Sequence, residues 1–211
     1  MTVSFHAGAL EHPLLRPGSG TVLWYVRLDS SAAEYAARAS RLLDADYRDL
    51  AQRPDSRMRA MRRRLARHLV GMAARCRPDD IVFTRATNGA TGLSVPDGWF
   101  ISLAGTWPHC LIGLSRRPIG VDVEPVDALP PPDDCLTPRE LAQLGAGGPD
   151  RALFRWLAKE AHAKRFAVAS EVDPCEIETW SDAGGYDVTS RHGASRCSMV
   201  MHGPVAIAVA F

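Results

Sequence analysis

The first regular signal along the chain is Thr21 to Leu28, TVLWYVRL, where β-branched and aromatic residues crowd together and predict a strand. Ser31 with Glu34 three residues on makes a capping-box pattern, so a helix is expected from there to about Leu43. Asp44 to Gln52 predicts a further short helix, stopped before Pro54. From Ser56 to Arg75 the apolar residues Met58, Met61, Leu65, Leu69 and Met72 recur three and four apart, which is one face of a longer helix. Asp80–Thr84, Trp99–Leu103, His109–Leu114 and Pro118–Glu124 read as strands, with turns at Asn88-Gly89 and Pro96-Asp97-Gly98. Ala128 to Asp134 has the composition of a linker. Thr137 begins a short helix over Pro138–Leu144, and Gly145–Pro149 breaks the chain before an amphipathic helix over Phe154–Ala167. Strands are expected at Glu176–Trp180, Tyr186–Thr189, Ser198–Met201 and Val205–Phe211, and residues 1–20 read as an irregular arm. Helices and strands in both halves give an α+β class.

A chain of 211 residues suits one large domain or two small lobes that share a core. The net charge of +1 supplies no field to recruit nucleic acid or an anionic membrane, and no recognition motif for nucleic acid is present. No apolar run is long enough to predict a membrane span. Five scattered cysteines without a CxxC pair, and no secretory leader, predict reduced thiols and a cytoplasmic protein.

Charge placement is more informative than charge total. Of the 25 Lys and Arg residues, only Lys159 and Lys164 are lysines, and both lie on the Phe154–Ala167 helix with Glu160. An ammonium is a compact point charge and a guanidinium a planar fork, so this pairing in an arginine-rich chain points to a chemical demand. Upstream, Asp122 and Glu124 alternate with Val121 and Val123, which puts both carboxylates on one face of a strand. Adjacent carboxylates call for a positive partner, and a hard divalent cation with oxygen ligands is the usual one. Arg59, Arg63 and Arg67 form a row on the Ser56–Arg75 helix, and the eight arginines between Arg57 and Arg77 have no acid among them. That helix is either a solvated face or an anion site.

Gly120-Val-Asp122-Val-Glu124, followed by Trp156-Leu-Ala-Lys159-Glu160-Ala-His-Ala-Lys164, resembles the paired signature of the 4′-phosphopantetheinyl transferases. Length and motif order resemble the two-lobed Sfp-type class. Arg63-Arg-Leu-Ala-Arg67 resembles that family's RxxLR helix, and Thr137-Pro-Arg-Glu140 its FSxxE segment. Two motifs depart from the pattern. The Gly-Lys-Pro loop that contacts coenzyme A would fall at Gly89-Ala90-Thr91, without its Lys and Pro. The segment whose His meets the 3′-phosphate would fall at Phe100–Gly105, with Leu103 in the His position; His109 is out of register.

The resemblance implies transfer of 4′-phosphopantetheine from coenzyme A to a serine of an acyl or peptidyl carrier protein, releasing 3′,5′-ADP. It implies two similar α+β lobes related by a pseudo-two-fold, divided near Arg117 into residues 1–117 and 118–211, in a monomer. Asp122, Glu124 and Glu160 would hold Mg²⁺. Lys159 and Lys164 would meet phosphate oxygens, with Lys164 steadying the leaving ADP. Glu160 is the first candidate for general base and Glu140 the second. Gly89 would line the coenzyme A site, and Arg63 or Arg67 would replace the missing charge at its 3′-phosphate. The main alternative is a divergent member that binds carrier proteins, or serves a biosynthetic pathway, without transfer. A zinc site at His192, Cys197 and His202 is a further alternative.

Overall fold

The computed structural model describes residues 20–51, 55–129, 131–144, 149–182 and 184–211. The expected arm lies outside these residues except for Gly20, as do the expected end of the second helix and the Gly145–Pro149 break up to Pro149. The first half runs β1 (Val22–Arg27), α1 (Ser31–Arg38), α2 (Asp44–Leu50), α3 (Ser56–Ala74), β2 (Val82–Arg85), β3 (Thr91–Val95), β4 (Phe100–Ala104) and β5 (His109–Ser115). The second runs β6 (Gly120–Pro125), α4 (Pro138–Leu144), α5 (Pro149–Arg165), β7 (Glu178–Asp182), β8 (Gly185–Ser190), β9 (Gly193–His202) and β10 (Val205–Ala210). The chain is a mixed α+β protein, and no helix among the described residues is long and apolar enough to cross a membrane.

Three local expectations change. The cap of α1 is Ser30, whose Oγ accepts the Ala33 N–H at 3.1 Å, and α1 stops at Arg38, short of Leu43. Strand β3 was not expected, because Gly92 and Ser94 dilute its pattern; pairing with β2 makes it a strand. Strand β9 starts at Gly193, well before Ser198, because its early residues pair along the whole of β8.

Every strand pairing is antiparallel. The orders are β1-β5-β4, β6-β10-β9-β8-β7 and a β2-β3 hairpin. In each half the first strand pairs with the last, and the last with its predecessor. Helix α3 buries Leu65, Leu69 and Val70 against Trp24, Val26, Ile112 and Leu114. Helix α5 buries Leu157, Ala158 and Ala161 against Ala206, Ala208 and Ala210. A third cluster joins the halves, with Leu23, Ala104 and Leu111 packed with Val121, Val123, Ile207 and Val209.

Alanines on both surfaces let α5 lie close on its sheet, and the closest approach is at Gly120. A Cβ there would stand 1.8 Å from the Ala161 carbonyl oxygen and 2.5 Å from the Arg165 nitrogen. Both are backbone atoms, so no side-chain rotation relieves the overlap. Gly120→Ala is therefore expected to cost about 3 kcal/mol or more of stability, at the upper end of overpacking effects. Denaturant unfolding measures it, and an unchanged midpoint would disprove the crossing.

Candidate active site

Val121 and Val123 are fully buried in the shared core, which turns Asp122 and Glu124 together to the opposite face of β6. Helix α5 lies across that face. Lys164 Nζ stands 2.6 Å from Asp122 Oδ1 and 3.7 Å from Glu160 Oε2, one turn back on the helix. Burial disfavours the Lys164 charge, but Asp122 and Glu160 outweigh it and hold its pKa above the usual lysine value.

The carboxylates respond in the opposite sense. Burial, then the Asp122 charge and, less strongly, Glu160, push Glu124 up to about 7 against the opposing pull of Lys164. Among the described residues, no hydrogen bond or ion pair reaches the Glu124 carboxylate. Glu160 is also raised, by burial first and by Asp122, with Lys164 opposing. Three carboxylates thus share one ammonium, and the donor set is of the kind a hard divalent cation takes. Among the described residues, no group of three His, Cys, Asp or Glu side chains is already gathered to hold an ion, so a ligand set here requires these side chains to turn.

Lys164 also lines a cavity of about 400 Å³ between the halves. The first half contributes Arg59, Arg62 and Arg63 of α3, Arg85 of β2, Asn88 and Gly89 of the β2–β3 turn, and Leu103 of β4. The second contributes Lys164 and Ala167–Ser170 in part. Asn88 ties these walls together. Its side-chain amide donates to the Ala167 carbonyl, and Ser170 Oγ donates to the Asn88 carbonyl at 2.5 Å. Gly89 has φ +83, which the turn requires and glycine adopts freely.

Several expected site residues stand elsewhere. Arg67 is fully buried and does not line the cavity; it donates to Asp46 at 2.5 Å and to the carbonyls of Pro78 and Ile81. Arg63 lines the cavity but pairs with Asp49 at 2.7 Å and lies over the Phe83 ring. Lys159 is buried too, 2.6 Å from Glu140 Oε2 and bonded to the carbonyls of Cys135 and Pro174. Residues 159 and 164 are a turn and a half apart on the helix, so one lysine faces the interior and the other the cleft. Glu140 is wholly buried, with its oxygens taken by Lys159, the Thr137 N–H, and the Thr179 N–H and hydroxyl. Its hydrogen-bonding capacity is thus engaged inside the protein.

The zinc alternative fails on geometry. Cys197 and His202 are five residues apart on β9 and so face opposite ways; Cys197 points at the Ala158 carbonyl and His202 meets the Tyr25 ring. His109 accepts or donates at Tyr25 Oη, 2.6 Å away, and does not line the cavity. Sequence reasoning missed Arg62 and Arg85 as cavity residues. Arg59, Arg62 and Arg63 share one helix face at i, i+3 and i+4, a signal that the row of every fourth residue concealed. Arg85 carries no comparable signal.

Residues 118–210 match the family model of the 4′-phosphopantetheinyl transferase superfamily. That stretch contains β6, α5 and therefore both arms of the carboxylate–lysine cluster. No curated protein matches the chain.

Two measurements separate structural from chemical carboxylates. Glu140→Gln leaves Lys159 buried beside a neutral partner and is expected to cost about 3–5 kcal/mol, while Glu160→Gln, whose carboxylate burial disfavours, leaves stability nearly unchanged. Thermal unfolding of both variants checks this, and equal losses would refute it. The second concerns pH. Glu124 has a folded pKa of about 7 against 4.5 when unperturbed, so its contribution to stability is complete below 4.5 and is lost as pH rises through 7. His162, lowered to about 4 by burial, acts in the opposite sense, so the comparison is with Glu124→Gln. Relative to the native chain, that variant is expected to gain stability between pH 5 and pH 8.

Proposed function

We propose that this chain transfers 4′-phosphopantetheine from coenzyme A to a serine of an acyl or peptidyl carrier protein and releases 3′,5′-ADP. The observation that carries the reading is Lys164, which lines an arginine-rich cavity and joins Asp122 to Glu160, within the stretch that matches the transferase superfamily. Phosphoryl transfer asks a protein chiefly to position its reactants and to balance charge on spread-out oxygens. The two sides of the cleft divide that work. The arginines suit the phosphates of coenzyme A, and the carboxylates suit Mg²⁺. Asp122, Glu124 and Glu160 would hold the ion, which when bound supplies charge neutralisation at the pyrophosphate.

Glu160 is the residue to take the serine proton. Its raised pKa brings a carboxylate nearer the range useful to a base at neutral pH, and Glu140 is fully engaged. As the serine oxygen bonds to the β-phosphorus, the bond from that phosphorus to its bridging oxygen breaks, and the electron pair leaves with 3′,5′-ADP. Lys164 would steady that anion. In this reading Gly89 and Arg63 form part of the coenzyme A wall, while Arg67 and Lys159 serve the fold. The architecture follows as two similar lobes of the Sfp-type class, divided near Arg117 and acting as a monomer. The matching strand order of the halves supports it.

A second reading, carrier-protein binding without transfer, draws on the same structure. Lys159 and Arg67, both expected at the phosphates, are spent on internal partners. Intact-mass spectrometry of an apo carrier protein incubated with this chain, coenzyme A and Mg²⁺ decides between them. Addition of one phosphopantetheine is expected. EDTA should abolish it, and Asp122→Ala or Glu160→Ala should lower the rate roughly a hundredfold or more. A carrier that is bound but gains no mass would favour the second reading.

A further inference from the structure

The cations of the cavity are not equivalent. Arg63 and Arg85 both pair with Asp49, at 2.7 and 2.6 Å, and Arg85 also donates to the Gly89 carbonyl. Lys164 is held by Asp122. Arg62 differs. It lines the cavity, donates from Nη1 to the Gly105 carbonyl at 3.4 Å, the long end of the hydrogen-bond range, and pairs with no carboxylate among the described residues. It lines the same cavity as Lys164. Two like charges lining one cleft repel, and an anion bound between them relieves that repulsion. The chemistry is complementary, because a guanidinium fork grips two phosphate oxygens and an ammonium supplies a movable point charge.

We propose that Arg62 is a pyrophosphate-binding residue, gripping that group with Lys164 where the basic cavity meets the carboxylate cluster. The assignment rests on the phosphoryl-transfer reading of the cleft and deepens it. Arg62 lies outside the Arg63–Arg67 motif, and no carboxylate among the described residues pairs with its side chain, whereas Asp49 stands behind both Arg63 and Arg85. Among the described residues only the long hydrogen bond to the Gly105 carbonyl holds it, so its removal should leave the structure intact.

Isothermal titration with inorganic pyrophosphate, in low-salt buffer without metal, tests this on the full chain. The native protein is expected to bind, and Arg62→Ala to bind about tenfold to a hundredfold more weakly, as for loss of a charge-assisted hydrogen-bonding partner. Arg62→Lys should recover part of the affinity. Arg196→Ala, which removes an exposed charge of β9, should bind like the native chain. Thermal melts establish that each variant is folded, and Arg62→Gln replaces the alanine variant if it is not. Native affinity in folded Arg62→Ala, or no binding by the native chain, overturns the assignment. The two ideas fail separately. Loss of pyrophosphate binding without transfer by the native chain keeps Arg62 as the anion site and sinks the transferase reading, and transfer with unchanged affinity does the reverse.

Discussion

The contact that governs the rest is the crossing of α5 over β6 at Gly120. With no Cβ in the way, helix backbone meets strand backbone directly, and the helix has little freedom to slide or roll. The register of the site follows. Ala161 sits over Gly120, so Glu160, the residue before it, and Lys164, three residues after it, come down beside Asp122, two residues along the strand. The same close approach is what buries the carboxylates enough to raise Glu124 and Glu160 above the usual range. Packing and electrostatics at the site are thus two results of one missing side chain.

The arginine and lysine side chains show how one residue type divides between fold and chemistry. Helix α2 presents Asp46 and Asp49 to α3. Asp46 accepts the Leu43 N–H at its own helix start and also pairs with Arg67, so it caps one helix and anchors another. Asp49 sits behind Arg63 and Arg85 and holds both guanidiniums in the cavity wall. Lys159 does for the second half what Arg67 does for the first, neutralising a buried carboxylate and bonding loop carbonyls. Such buried pairs are costly to break from one side, because the partner is left charged and dry. They keep the scaffold rigid behind the cations that face the cleft.

Of the contacts that join the halves, two bear on the cleft. The shared apolar cluster fixes the sheets, and Asn88 links the β2–β3 turn to the segment after α5. The cavity there has arginines from one half and Lys164, itself paired with Asp122 and Glu160, from the other.

Much of this was legible in the linear chain. The amphipathic period of α3, the alternation that puts Asp122 and Glu124 on one face, and the Lys-bearing helix all follow from local geometry, which repeats every two or 3.6 residues whatever surrounds it. The α+β class and the resemblance of the GVDVE and WLAKEAHAK segments were readable for the same reason. Local period cannot say which side of a helix meets protein and which meets a cleft. Tertiary packing decided that Arg67 and Lys159 turn inward to Asp46 and Glu140, that Glu140 is locked, and that Arg62 and Arg85 face the cavity. It also made β3 a strand through its partner β2, and gave Gly120 its purpose, which appears only when a helix some forty residues further along the chain is laid across it. The sequence by itself determined which residues could do chemistry; burial and pairing, which depend on contacts distant in the chain, determined which of them are free to do it.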